Sequence, residues 1–298
     1  MIFFNKKIFI KHLFYTAIML TIVSCEQDIV IDLPEPEQKI VVEGWIEQNK
    51  YAIVKLSKNM SYFGVTDSTA LINMINFPAV VTVSDGINSE ILTPTFDFNY
   101  FPPILYKGHL IKGEIGKTYY LIVQSEGKEL TSKTTIPCPP TTLDSLWFVL
   151  DPGQDSLGTI WGKFTDNPNE KNYYRLCTQR KGRDKKMIPV MGSIYEDFFF
   201  NGLNFTFNVY RGYETYTDYE GIKNDKEYSY FKLGDTIIFK YCSIDKEHYE
   251  FWSTAEVEFF YGGNPFINPI PVKSNIKGGG LGVWGGYGAN YDTIILKK

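Results

Sequence analysis

The sequence predicts a mainly β protein. An N-terminal β-sandwich over residues 39–137 precedes a second β-rich domain over 138–298, which carries one amphipathic helix near 246–260. Three observations predict this. Aromatic residues make up 16% of the 298 residues, with 21 Tyr and 22 Phe, and such residues favour strands. Short β-branched and aromatic runs recur between turn residues, the pattern of antiparallel sheets. Hydrophobic content of 44% supplies real cores, and the length suits one large domain or two ordinary ones.

The chain opens with Lys6, Lys7 and Lys11, then an apolar run from Leu13 to Val23. A basic patch, a short apolar stretch and a small residue before the cut are the parts of a secretory signal. The run is shorter than the ~20 residues a membrane-spanning helix needs. Ile22-Val23-Ser24-Cys25 resembles a bacterial lipobox. That resemblance implies cleavage after residue 24, with Ile22, Val23 and Ser24 as the recognition residues. It makes Cys25 the diacylglycerol acceptor and a membrane its partner. Residues 25–38 are polar and contain Pro34 and Pro36, and read as a tether. Glu26 and Asp28 resemble a weak form of the acidic surface-export signal of Bacteroidota lipoproteins.

The sandwich then follows strand by strand. Lys39–Ile46, Ala52–Leu56 and Ala79–Ser84 are strand-like, and Asp85-Gly86 offers a tight turn into Glu90–Thr93. Pro102-Pro103 marks a loop. Thr118–Gln124 and Glu129–Ile136 form the clearest hairpin, about a turn at Glu126-Gly127. The run Tyr119-x-Leu121-x-Val123 resembles the Tyr-bearing strand of immunoglobulin and fibronectin-type domains, which makes the sandwich immunoglobulin/fibronectin-like. Pro137, Pro139 and Pro140 close this half and place the boundary.

In the second half Leu146–Leu150, Thr159–Phe164, Tyr173–Gln179, Phe198–Tyr210 and Thr236–Cys242 read as strands. Asp245 caps a helix from about Lys246 to Phe260. Its apolar face is His248, Trp252, Ala255 and Phe259, and Gly262-Gly263 and Pro265 end it. Gly278–Gly288 is a glycine-rich run before a final strand, Asp292–Leu296.

Charge and motifs exclude several function classes. The net charge is −4, and removing three signal lysines makes the remainder more acidic. That leaves no footprint for nucleic acid. The basic loop Arg180–Lys186 has few aromatic neighbours and reads as a solvated turn. Gly280-x-Gly282-x-x-Gly285 spells a dinucleotide motif, but no strand–helix context surrounds it. Its glycines read instead as a close backbone approach around Trp284. His109 and His248 lack ligand-like spacing, no nucleophile elbow occurs, and Asp166, Asn169 and Glu170 lack calcium-loop spacing. No catalytic residue, metal or cofactor is expected, and the chain reads as a non-enzyme. A hydrolase acting through unpatterned carboxylates is the reading from a third class.

With Cys25 lipidated, Cys138, Cys177 and Cys242 allow one disulfide. Cys177 and Cys242 are the favoured pair, and three buried small hydrophobes are the alternative. Tyr210, Tyr213, Tyr216 and Tyr219 recur every third residue. They read as strand and turn packing or as a binding strip, with Tyr213, Tyr216 and Tyr219 as the candidate binding aromatics. Asp-Ser/Thr-aliphatic triplets begin at Asp144, Asp155, Asp235 and Asp292. They resemble O-glycosylation acceptors of Bacteroidota envelope proteins, and a turn Asp opening a strand explains the same spacing.

Taken in order, a set of short motifs carries a wider resemblance. They are Cys25, Lys39-Ile40-Val41-Val42-Glu43-Gly44, Tyr119-x-Leu121-x-Val123 and Thr134-x-Ile136-Pro137. Asp166 before Asn172-Tyr173-Tyr174 follows, then Ser274-Asn275-Ile276 before Gly279-Gly280. The chain thus resembles a domain-of-unknown-function family of Bacteroidota outer-membrane lipoproteins, often encoded beside TonB-dependent receptors. The resemblance implies a lipid-anchored accessory protein that partners such a transporter in nutrient uptake. Its ligand and its face of the outer membrane, cell surface or periplasm, stay open. It carries no catalytic residues. A surface adhesin or glycan-binding module is the alternative.

Overall fold

Strands dominate the chain, as its composition predicts. The computed structural model describes residues 37–60, 68–213, 227–262, 268 and 270–297. Residues 22–25, most of the tether, Tyr216 and Tyr219 lie outside these. The first half holds β1 (Ile40–Glu47), β2 (Tyr51–Lys58), the short helix α1 (Ser68–Asn73), β3 (Val80–Ser84) and β4 (Ser89–Ile91). It continues through β5 (Thr93–Phe96), β6 (Ile104–Lys112), β7 (Thr118–Ser125) and β8 (Lys128–Thr135). The second half holds β9 (Ser145–Leu150), β10 (Leu157–Thr165), β11 (Tyr173–Arg180), β12 (Ile188–Glu196), β13 (Asn204–Val209) and β14 (Phe231–Lys232). β15 (Thr236–Ser243), the helix α2 (Lys246–Tyr261) and β16 (Leu281–Ile295) complete it.

Eight strands join in one sheet, in the order β12-β11-β15-β16-β1-β2-β6-β5. Two four-stranded sheets accompany it. One is β4-β3-β7-β8, and the other is β13-β10-β14 with β9 beside β10. Side chains alternate along strands, and the burial pattern shows where each face points. Val42, Ile46, Val54, Leu56 and Tyr106 of the long sheet meet Val81, Val83, Tyr119, Leu121, Val123 and Leu130 of the first small sheet in one core. The expected sandwich is therefore present. Leu176, Val190, Ile237, Phe239 and Tyr241 meet Ile160, Phe164, Phe207, Val209 and Phe231 in a second core. By strand register both cores lie on the same face of the long sheet.

The long sheet runs across Pro137, and Ile276 and Trp284 from beyond it enter the first core. Strand β16 pairs parallel with β1, Val41 opposite Leu281 to Glu47 opposite Tyr287, and antiparallel with β15. The end of the chain thus completes a sheet begun at its start, and 37–298 is one compact unit. The final strand, expected at Asp292–Leu296, begins earlier, and residues 281–288 of the glycine-rich run form the first half of this 15-residue strand. Its glycines serve close approach, as the sequence suggests at Trp284. A Cβ on Gly44 would stand 2.8 Å from the Trp284 ring, and one on Gly285 would overlap the His248 ring. Trp284 is fully buried and donates its indole N–H to the Tyr119 carbonyl at 3.0 Å.

Local chemistry sets the turns. Glu126 (φ 51°) and Gly127 (φ 73°) both take positive φ, as a two-residue hairpin demands. Asp85 accepts from the Ile87 and Asn88 amides at 3.0 and 2.7 Å. Asp144 and Asp235 sit immediately before β9 and β15, whereas Asp292 lies inside β16. Asp245 caps α2, accepting from the His248 amide at 2.8 Å. Further elements differ from expectation. The sequence pattern marks no strand at β6, β12 or β14 and no helix at α1. Phe198–Tyr210 is not one strand but a 3-10 turn, Asp197–Phe199, followed by β13.

Candidate functional site: the open face of the long sheet

The long sheet's other face carries no second sheet. Helix α2 covers one part of it, packing on β16, β11 and β12. Elsewhere two loops from opposite edges of the sheet meet across it. Lys186, between β11 and β12, donates to the Asn99 carbonyl at 2.6 Å and sits 4.6 Å over the Tyr100 ring, between β5 and β6. Tyr100 in turn lies 6.4 Å from Trp45. Strand twist brings distant edges of a long sheet together in this way.

Alternation then places charged residues where a buried sheet would hold aliphatics. Glu43, Trp45 and Glu47 of β1 point to this face, with Tyr287 and Tyr291 of β16, Lys240 and Cys242 of β15, and Arg175 and Cys177 of β11. Glu47, Lys240 and Arg175 are each at least 93% buried, so each charge needs a partner. Lys240 Nζ reaches Glu47 Oε2 at 2.7 Å. Lys50 Nζ and the Tyr291 hydroxyl reach Glu47 Oε1 at 2.7 and 2.6 Å. Arg175 Nη1 donates to the Tyr287 hydroxyl at 2.5 Å, and its guanidinium stacks 3.6 Å over Trp252 of α2.

Electrostatics follow from this packing. Burial works to raise the Glu47 carboxyl, but the charge and hydrogen bonds of Lys240 outweigh it, so the carboxyl lies below its ordinary range. Burial opposes the Lys240 ammonium, yet Cys242 and Glu47 beside it keep it well above its usual value. Burial pushes the Tyr287 hydroxyl and the Cys242 thiol each up to about 12. Burial, then Arg175 and Lys240, hold His248 well below the usual imidazole range. Among the described residues, the buried side-chain nitrogens without a partner are Arg175 Nε, His248 Nδ1 and Trp252 Nε1, all in the seam under α2, and Asn76 Nδ2 elsewhere.

Chemically this face is a closed ionic and aromatic network. Its carboxylate, ammonium and hydroxyl groups are spent on one another, an arrangement that fixes structure. The cavity among Phe164, Phe200, Phe205, Phe207 and Tyr241 in the second core is apolar and has about 20 Å³ of free space, room for one water. Among the described residues no group of three His, Cys, Asp or Glu side chains is placed to hold a metal. Among them, too, no helix is long and apolar enough to cross a membrane.

Of the sequence-predicted site residues, only Tyr213 lies among those described. It packs 5.4 Å from Tyr228 and 5.9 Å from Phe259 of α2. Cys177 and Cys242 are free and buried, and Cys138 is free and exposed. The favoured disulfide is thus not formed, because the thiols sit diagonally, with Cys177 opposite Lys240 and Cys242 opposite Arg175. Sequence reasoning missed Glu47, Arg175 and Lys240. The available signal was a charge interrupting an apolar strand run, in Tyr173-Tyr174-Arg175-Leu176-Cys177 and Ile238-Phe239-Lys240-Tyr241-Cys242.

A mainly β protein of packed sheets with one prominent helix and a buried charged network is the class that fold and site define. The chain belongs to the family described as Domain of unknown function (DUF4249), which matches residues 26–291. No curated protein matches it. Among solved structures it is similar to the FN1–FN3 domains of chicken CNTN1, at 10% identity and a TM-score of 0.24. That alignment covers 86% of this chain and 66% of the other, just under two thirds of its length.

Proposed function

We propose that this chain is a lipid-anchored, non-enzymatic protein of a Bacteroidota outer membrane, partnering a TonB-dependent transporter in nutrient uptake. The observation that carries the reading is the lipobox-like Ile22-Val23-Ser24-Cys25 directly ahead of the family match at residues 26–291. Internal pairing of Glu47, Lys50, Lys240 and Tyr291 supports a binding role over a catalytic one. Full-length tagged protein, purified from detergent-solubilised outer membrane, tests the reading. A β-barrel receptor should co-purify, and its absence at any stoichiometry overturns the partnership. The anchor has its own test. Cys25→Ser should lose labelled palmitate and leave the membrane pellet, since only acylation supplies stable attachment.

A glycan-binding or adhesive role is the second reading. The stacking of Tyr213 with Tyr228 and Phe259 favours it, because grouped aromatic rings suit sugar faces. Saturable glycan-array binding lost in Tyr213→Ala, with no receptor present, would select this reading over the first.

A further inference from the structure

We propose that the turn from Asp197 to Leu203, between β12 and β13, is a preorganised protein-docking anchor. It inserts Phe198 and Phe199 into an apolar pocket with a basic rim on a folded partner.

Phe198 is 72% exposed, Phe199 86% and Leu203 58%. The two phenyl rings meet edge to face at 4.9 Å, so they project as one apolar knob. Nothing about the turn holding them is loose. Asp197 is buried, accepts from the Asn172 amide at 2.6 Å, and offers its carbonyl to the Phe200 amide at 2.8 Å. Asp166, also buried, accepts from the Gly202 amide at 3.0 Å and from the Tyr174 hydroxyl. Gly202 takes φ 70°, and a Cβ there would stand 2.7 Å from Pro168. Phe200 turns the other way and stacks on Phe205 at 4.3 Å inside the second core. Two neighbours in sequence thus point out while the third is buried. Aromatic side chains held in their bound shape lose little entropy on binding, which is what makes interface anchors effective.

Charge selects the occupant. Among the described residues, the exposed carboxylates beside the turn are Asp144 and Glu170, with Glu196 ion-paired to Lys171, above the buried carboxylates of Asp166 and Asp197. This collar repels anionic lipid headgroups and favours a pocket rimmed by Lys or Arg. The proposal deepens the reading of the chain as an accessory protein with a protein partner, and rests on it for the partner's existence only.

The test is photo-crosslinking in cells, with p-benzoylphenylalanine replacing Phe199 in the full-length chain and adducts identified by mass spectrometry. One folded partner should be captured, with crosslinked peptides bordering an apolar, Lys- or Arg-rimmed pocket. Phe198→Ser should cut adduct yield at least tenfold, and Glu170→Lys should cut it severalfold. Each variant should keep the wild-type circular dichroism and melting temperature, since the substituted side chains lie at the surface. Adducts to lipid alone, adducts to a second copy of this chain, or no adduct would each overturn the proposal. If a TonB-dependent receptor co-purifies yet Phe199 captures nothing, the anchor fails and the partnership stands. If Phe199 captures a different protein in such a pocket, the anchor stands and the transporter reading fails.

Discussion

The two faces of the eight-stranded sheet are built from the same strands by opposite rules. One face is mainly aliphatic and aromatic and packs against two small sheets. The other holds Glu47, Arg175, Lys240, Tyr287 and Tyr291 under a helix and two loops. Glu47, Arg175, Lys240 and Tyr287 are as buried as the apolar core, so solvent alone does not make the difference. It lies in what each face requires: the apolar face tolerates any filling of the right volume, whereas the charged face tolerates only matched partners.

Breaking a pair should therefore produce the largest effect. Lys240→Met leaves the Glu47 carboxylate buried with Lys50 and Tyr291 alone, and should cost about 3–5 kcal/mol. Lys240→Met combined with Glu47→Leu should recover much of that loss. Urea titrations of both variants measure it. Equal loss in the single and double variants would show that the pair stabilises through shape rather than charge.

Close approach tests both faces with one change of chemistry. Gly44→Ala places a methyl against Trp284 on the apolar face, and Gly285→Ala places one against His248 on the charged face. Each overpacks a filled site and should cost about 1–3 kcal/mol. The difference should show in hydrogen exchange. Gly285→Ala should expose α2 amides first, because His248 is the buried residue that seats the helix.

A pH titration sharpens the contrast further, because only the charged face holds a buried imidazole. His248 is held well below its usual range by burial, then by Arg175 on β11 and Lys240 on β15. Tyr287 meets its ring edge-on at 4.7 Å, and Asp245 caps its amide. Above about pH 6.5 neither the folded nor the unfolded chain protonates it. Below that value only the unfolded chain does, so stability falls with pH by up to about 1.4 kcal/mol per unit. Burial raises Asp245 and Glu256, which act in the opposite sense nearer the ordinary carboxylate range. Thermal melts from pH 7.5 to 5.5 should show the fall, and His248→Phe should flatten it.

These faces were not equally legible. The apolar one could be read from alternation, as in Thr118–Gln124 and Ala52–Leu56, and the helix from its Asp245 cap. The strand β16 could not, because glycines depress every strand signal and its pairing to β1 spans some 240 residues. Strand β6 was hidden by its bulge, where the buried Glu90 carboxylate accepts the His109, Leu110 and Ile111 amides at 2.9–3.0 Å. The charged site was hidden for a different reason. Its residues are spread over four strands, and only the sheet order makes them neighbours.

The smallest expected effect concerns the two thiols of the charged face. Cys177 and Cys242 occupy neighbouring strands, but each faces a cation rather than the other thiol. Diagonal neighbours in an antiparallel pair stand roughly 7–8 Å apart, beyond the usual Cα separation of a disulfide. Burial raises both thiols, so few are thiolate at neutral pH, and thiolate is the reactive form. A reductant should therefore leave the intact mass and the melting temperature unchanged. Iodoacetamide at pH 7.5 should label exposed Cys138 in the native chain and reach Cys177 and Cys242 only after guanidinium is added. A two-proton mass gain on reduction, or a drop in melting temperature, would mean that the strands shift enough to join the thiols. The Lys240–Glu47 pair beside them would then have to move as well.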